Sequence, residues 1–374
     1  MTSCDQSATM QAAAAAAPES LAVDRAVRVM VVDDSAVVRG LVSRWLDEEP
    51  GVEVVARHSN GKLAVEDVAR SAPDVILLDI EMPVMDGLEA LPLLLKARPD
   101  VRVLMVSTLT QRNAEISFKA LALGALDYVT KPETNREITT LPDFQGEVIR
   151  KVRALAGARG ARRAAAVKEL GPFKWRAFSL VPPRVVVIGS STGGPQVLSS
   201  LLGALSPSLD RVPVLIAQHM PAMFTKILAE RLARATGRET KEGEDGERLQ
   251  PGKIYVAPGN HHMTVCHSAR PQLRVADGPP VNFCRPAVDP LFTSVAATFG
   301  PATLAIVLTG MGQDGAAGAR AIADTGGSVI AQDEASSVVW GMPAAAAAAA
   351  ACAALLPPHE IANTAARLVS GERP

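Results

Sequence analysis

Short runs of aliphatic and β-branched residues alternate with amphipathic stretches along most of this chain, and that alternation constrains its fold more than any other feature. VRVMVVDD precedes SAVVRGLVSRWLDEE, VEVVARH precedes GKLAVEDVARSA, and DVILLDIEMP precedes GLEALPLLLKARP, a helix with a proline early in it. VRVLMVST then leads to RNAEISFKALALG, and ALDYVTKP to FQGEVIRKVRALAG. Repeated strand–helix units of this kind predict an α/β fold built on a doubly wound parallel sheet. The rhythm breaks at 157–183, a basic and then proline-flanked stretch, and resumes with RVVVIGS, VPVLIAQHM, GKIYVAPG, ATLAIVLTG and GGSVIAQD. Two doubly wound domains are therefore expected, at 27–156 and 184–370, with 157–183 a linker containing some helix. Residues 1–26 carry no bulky apolar pattern and are expected to be a disordered extension.

Composition narrows the function classes. The chain has 374 residues, of which 48% are hydrophobic, and a formal charge of −1. That balance argues against a nucleic-acid partner held mainly by charge. The four cysteines (Cys4, Cys266, Cys284, Cys352) form no CxxC pair and no zinc spacing, as expected for free thiols in a reducing compartment. The N-terminus has an acid where a signal peptide needs bases, and the alanine-rich run at 345–356 is too short to span a bilayer and reads as a packed helix. A cytoplasmic monomer without membrane insertion is expected.

In open α/β sheets, ligands bind at the carboxyl ends of the strands. In the first domain those ends carry Asp33 and Asp34, then Asp79, Ser107 and Lys131. Neighbouring carboxylates repel unless a cation intervenes, and hard oxygen ligands suit Mg²⁺. Lys131 supplies a compact mobile charge, and the Ser107 hydroxyl could bond an oxyanion. Alone, each aspartate is as well read as a turn former or helix cap. Together they are the parts for phosphoryl transfer to a carboxylate.

VMVVDDS, ILLDIEMPVMDGLEAL, VLMVST and LGALDYVTKP resemble the receiver domain of bacterial two-component response regulators, over about residues 27–132. The resemblance implies Asp79 as phosphoacceptor, with a sensor histidine kinase as phosphodonor. It implies Mg²⁺ bound by Asp34, Asp79 and the backbone carbonyl of Glu81, with Asp33 acting through water. Ser107 would contact the phosphoryl group, Lys131 would pair with it, and the Tyr128 ring would reorient on activation. The Lys131–Pro132 bond would be cis.

The second domain opens on VIGSSTGGP (187–195). Pro195 and Gln196 follow Gly194 where a Walker loop needs lysine, so a phosphate loop is weakly supported. Gly189-Ser190-Ser191-Thr192-Gly193 fits G-x-S-x-G after a strand and before a helix, which would expose the Ser191 hydroxyl beside helix N-terminal amides. A serine needs a base. His219 ends a strand on the same sheet edge and is favoured over His262; Asp314, past another strand, is a candidate orienting carboxylate or only a helix cap. Gly310-Met311-Gly312-Gln313-Asp314-Gly315 also fits G-x-G-x-x-G, with Asp333 placed for a ribose, but Asp314 would put a carboxylate where a pyrophosphate must lie.

IGSSTGGP, the QHMP segment, YVAPGNHHM, RPAVDPLFTSVA, LTGMGQDGAAG and AQDEASSVVWGMPAAA resemble the catalytic domain of the chemotaxis protein-glutamate methylesterases, over nearly all of 184–350. That resemblance implies a Ser191–His219–Asp314 triad, with Thr192 supporting the histidine, the Met311 amide in the oxyanion hole and His262 on the site wall. No cofactor is implied for the esterase. The substrates would be methyl-accepting chemoreceptors, demethylated with release of methanol and deamidated by the same chemistry. The unphosphorylated receiver would cover the Ser191 cleft. Three departures stand out: Ser190 replaces alanine, Gln313 replaces asparagine, and NFC (282–284) lacks the basic residues common before the RP segment. The last bears on recognition of an acidic substrate surface. Two other readings remain open from the residues: a response regulator with a partner-binding output, in chemotaxis or a related receptor system, and a dinucleotide enzyme using 310–315.

Overall fold

The central strands of the two parallel sheets are apolar on both faces, so each must be covered from two sides. In the computed structural model, which describes residues 25–108, 110–132, 141–160, 175–266 and 270–373, helices do the covering. The first domain runs β1 (Val27–Val32), α1 (Ala36–Asp47), β2 (Val52–His58), α2 (Gly61–Ser71), β3 (Val75–Asp79) and α3 (Gly87–Ala97). It continues through β4 (Arg102–Thr108), α4 (Gln111–Ala122), β5 (Asp127–Lys131) and α5 (Leu141–Gly160). The strands are all parallel in the order β2-β1-β3-β4-β5. The order reverses beside β1, so β1 and β3 leave a crevice at their carboxyl ends. Helix starts are set locally: Ser35, Asn60 and Thr110 side chains accept from first-turn amides, and Asp86 with Glu89 forms a capping box on α3. Pro92 lies inside α3 without ending it.

The second domain contains β6 (Val185–Ser190), α6 (Gly194–Leu205), β7 (Val214–Gln218), α7 (Ala222–Thr236), β8 (Thr240–Glu242) and β9 (Ile254–Val256). An antiparallel hairpin follows, β10 (His262–Cys266) and β11 (Gln272–Ala276), then α8 (Val288–Phe299), β12 (Thr303–Val307) and α9 (Ala316–Asp324). The chain closes with β13 (Ser328–Gln332), α10 (Met342–Ala348), β14 (Ala354–Leu356) and α11 (Pro358–Val369). Seven parallel strands lie in the order β14-β13-β12-β6-β7-β9-β8. The central strands β6, β7 and β12 are buried at every position. Each large aliphatic side chain buried there contributes roughly 1.5–3 kcal/mol.

Several expectations need correction. The alanine run at 345–356 is not one helix: α10 stops at Ala348, Ala350 adopts φ 53°, and the run ends in β14. Alanine carries no side chain that could hold a helix against a strand-pairing edge, so tertiary context decides. The Lys131–Pro132 bond is not cis; among the described residues the cis bond is Arg285–Pro286. Trans is the lower-energy isomer before proline by about 0.5–1 kcal/mol, and nothing here overrides it. The expected disordered segment falls outside the described residues except for Arg25 and Ala26, as do 161–174 of the linker. Residues 175–183 lie along the second domain, with Arg176 bonded to the carbonyl of Ala350 and to Asp324, and Ser179 to Ser328.

Candidate active site

β6 ends at Ser190, and the chain turns through Ser191–Gly193 into α6. Gly193 has φ 77°, and a Cβ there would sit 2.6 Å from the Val338 side chain, so the turn requires glycine. Gly310 is equally constrained: its Cβ would come within 2.8 Å of the Ser191 Cβ. Ser191 donates its amide to Thr309 O (3.1 Å) and accepts from Gly194 N (2.8 Å) and Gln218 Nε2 (2.9 Å). Ser190, the departure from alanine, donates its hydroxyl to Gln218 Oε1 at 2.6 Å. Gln218 thus staples the ends of β6 and β7 together, a role the sequence did not announce. The backbone N–H groups of Gly193 and Met311 have no hydrogen-bond partner among the described residues.

His219 is fixed beside this turn by its amide, which donates to Ser190 O at 3.1 Å. Its Nε2 lies 2.7 Å from Asp314 Oδ2, and its Nδ1 lies 3.4 Å from the Cys284 sulfur. Asp314 does not cap α9, which begins after Gly315. Its carboxylate instead accepts from the first amides of α8, Val288 N (2.6 Å) and Asp289 N (3.1 Å), and from Gly315 N and Asn282 Nδ2 (both 3.1 Å). Helix amides and a nearby imidazole favour the anion. Burial alone would raise the Asp314 carboxyl, but these hydrogen bonds, His219 foremost, hold it below the ordinary aspartate range. For His219, burial works against the charged ring, yet the hydrogen bonds to Asp314 and Cys284 outweigh it and lift the imidazole to about 9.

The structure therefore joins His219 to Asp314 and leaves Ser191 on the adjacent strand end, half-exposed, its hydroxyl without a hydrogen bond among the described residues. Among the described residues the Thr192 hydroxyl is not bonded to the histidine; it donates to Asp127 Oδ2 of the first domain at 2.6 Å. The reason is that Asp127, at the start of β5, reaches across the domain boundary. His262 is occupied by backbone, with Nε2 3.0 Å from Pro279 O and Nδ1 accepting from Ala287 N. Asp333 accepts from the amide of Ser336, and Asp314 places a buried carboxylate in the loop just before α9, where a pyrophosphate would have to lie, which counts against a dinucleotide loop.

At the crevice of the first domain, Asp33, Asp34 and Asp79 present oxygens within 4.8 Å of one another. Lys131 Nζ bridges Asp33 (2.7 Å) and Asp79 (2.8 Å). Burial first, then the neighbouring Asp33 charge against the counteracting Lys131, raises Asp79 to about 6. Two buried carboxylates sharing one lysine, with the exposed Asp34 beside them, fit a hard divalent cation. A cleft of about 420 Å³ opens beside them, lined by Asp34, Glu81, Met82, Asp86 and Arg112 among others. Ser107 is 1% exposed and shares a 3.3 Å hydrogen bond with Ser117.

The face of β5 and α4 packs onto α7 and the Ser191 turn. The Tyr128 ring, 4% exposed, stacks on Phe224 with centroids 4.2 Å apart and 5° between planes. Gln196 donates to Ala125 O at 3.2 Å. Lys151 of α5 bonds Asp127 (3.1 Å), Glu147 (3.0 Å) and the Tyr128 carbonyl (2.6 Å), which holds Asp127 in place against Thr192.

Fold and geometry together define a two-domain α/β signalling enzyme, with an acidic receiver-type sheet edge built ahead of a serine, histidine and aspartate cluster. Family models match at 29–141 (response regulator receiver domain) and 186–365 (CheB methylesterase). A Rhodopseudomonas palustris protein-glutamate methylesterase/protein-glutamine glutaminase is 51% identical over 93% of this chain and 95% of its own length. A Nitrobacter hamburgensis protein of the same name is 52% identical over 92% and 95%. The crystal structure of the Thermotoga maritima CheB methylesterase catalytic domain is 38% identical, covers 50% of this chain and all of its own, and has a TM-score of 0.49. The chain belongs to the CheB methylesterase family, carboxylic ester hydrolases with a receiver domain.

Proposed function

We propose that this protein hydrolyses glutamate γ-methyl esters on chemoreceptors, releasing methanol, and deamidates receptor glutamines at the same site. Ser191 Oγ attacks the ester carbonyl and its proton passes to His219, whose ring Asp314 keeps aligned. The developing oxyanion is met by the partnerless amides of Gly193 and Met311. The C–O bond to methanol breaks and the departing oxygen takes the proton from His219. Water then attacks the acyl-enzyme as His219 accepts its proton; the acyl C–Oγ bond breaks, His219 returns the proton to Ser191 Oγ, and the glutamate carboxyl group is released. With glutamine, ammonia departs in place of methanol. For this sequence the imidazole must turn its free nitrogen from Cys284 toward Ser191.

The observation that carries the reading is the 2.7 Å His219–Asp314 pair beside a half-exposed serine flanked by partnerless amides. The contact at Cys284 supports one second reading, with the thiol as nucleophile. The amides of α8 near that sulfur are already bonded to Asp314, so no oxyanion donors remain there. A fluorophosphonate followed by peptide mass mapping separates the two. A mass added to Ser191, and lost in Ser191→Ala, supports the serine mechanism; a mass on Cys284 overturns it.

The receiver supplies control. Asp79 is the phosphoacceptor and a sensor histidine kinase the donor; Asp34, Asp79 and the Glu81 carbonyl would hold Mg²⁺, with Asp33 acting through water. The ion, when bound, neutralises charge during phosphoryl transfer. Lys131 and Ser107 engage the phosphoryl group, which takes Lys131 from Asp33 and draws Ser107 from Ser117. Tyr128 then leaves Phe224, Asp127 releases Thr192, and the equilibrium shifts toward an open arrangement. The reaction takes place in the cytoplasm, on the cytoplasmic helices of the receptors.

A further inference from the structure

The NFC segment forms a two-residue hairpin. Val281 and Cys284 exchange both backbone hydrogen bonds (3.1 and 2.9 Å), and Asn282 and Phe283 between them adopt φ 50° and 64°. Two positive φ values in a two-residue loop define a type I′ turn, whose favoured sequence is Asn-Gly. Asn282 suits its position. Phe283 occupies the glycine position, where a bulky side chain is a genuine outlier. Among the described residues its ring is 93% exposed, so little burial offsets that strain. The turn is rigidly tied to the site on both sides: Asn282 Nδ2 donates to Asp314 Oδ1 and Asp289 Oδ2 (both 3.1 Å), and Cys284 faces His219. The stretch from Gly278 to Cys284 carries no charge; Arg285, next in the chain, is half-buried and turned back on the loop, its Nη1 donating to Gly278 O at 2.8 Å.

From these observations we infer that Phe283 is a specificity-determining residue: its ring packs on an apolar side chain of the substrate polypeptide next to the ester-bearing glutamate. This rests on the esterase reading above. Strain retained at a site's edge signals a function for the strained group. An aromatic anchor with two rotatable bonds, held by a turn that cannot bend away, is well suited to a helical surface.

The test compares kcat/KM on methylated receptor membranes with kcat/KM on N-acetyl-glutamate γ-methyl ester, which has the reacting group and no polypeptide around it. Full-length wild type, Phe283→Ala, Phe283→Gly and Phe283→Leu are measured. The receptor-to-small-ester ratio should fall about tenfold in the alanine and glycine variants, with most of it restored by leucine. A ratio unchanged in all variants, while the wild type releases methanol from receptors, overturns the role of Phe283 and leaves the esterase reading intact. A wild type inactive on receptors overturns both. A fall in solution mass in Phe283→Ala would assign the ring to a contact between copies, and also overturns the inference.

Discussion

The imidazole of His219 carries the sharpest residue-scale consequences. Lifted to about 9 by Asp314 and Cys284, it is protonated at neutral pH in the closed chain and must lose that proton to act as a base. The kcat/KM of the unphosphorylated enzyme should therefore climb with pH toward an apparent pKa near 9, and Cys284→Ala should move that pKa down. A profile levelling near pH 6.5 contradicts this. The same shift bears on stability. The folded value exceeds the ordinary 6.5, so its contribution is fully present below that pH and is lost as pH rises through about 9. Thermal melts of wild type should fall between those values, and His219→Gln should flatten the fall. Asp314→Asn removes the anion that aligns the ring and should lower kcat on the order of 10³–10⁴-fold, read from steady-state hydrolysis. Ser191, His219 and Asp314 were candidates in the sequence because each follows a strand on one sheet edge, and the resemblance to the methylesterases joined them into a triad. Gln218, Asn282, Cys284 and Asp127 could not. Their roles arise from side chains meeting across loops or domains, and no spacing encodes that.

At the scale of elements, buried parallel strands were readable because a continuous apolar run permits little else. The short pieces were not. β8 and β14 each have three residues, and the β10–β11 hairpin is half-exposed, so neither shows a clear period. The 281–284 turn was equally hidden, since Asn-Phe carries no turn signal and the conformation is imposed by the ties to Asp314 and His219. That strain makes a stability prediction. Phe283→Gly relieves an unfavourable left-handed residue, worth about 1 kcal/mol, and should raise the melting midpoint by about 2–4 °C. Because the receptor-to-small-ester ratio should fall in the same variant, stability and recognition would move in opposite directions. A lowered midpoint would show that the ring is held by the fold.

For the whole molecule, two sheets of independent pattern are joined by a contact that runs into the apolar core of each, Phe118 and Tyr128 packing with Phe224, and Val339 joining the receiver's apolar cluster. The domain order was legible, but the docking was not, because Asp127, Tyr128, Gln196 and Phe224 are unremarkable until two surfaces meet. Asp127→Ala leaves Thr192 without its acceptor and Lys151 without one of its carboxylates. It should raise the unphosphorylated rate about tenfold or more, since a hydrogen bond to a charged group is worth about 1.5–3 kcal/mol. The most direct test of the account is methanol release from methylated receptor membranes, with and without a small phosphodonor and Mg²⁺, by wild type, Asp79→Asn, Ser191→Ala and a chain starting at residue 175. The account predicts phosphodonor stimulation in wild type alone, constitutive release by the shortened chain, and none from Ser191→Ala. Undiminished release by Ser191→Ala, or equal rates from the full and shortened chains whatever the phosphodonor, would contradict it.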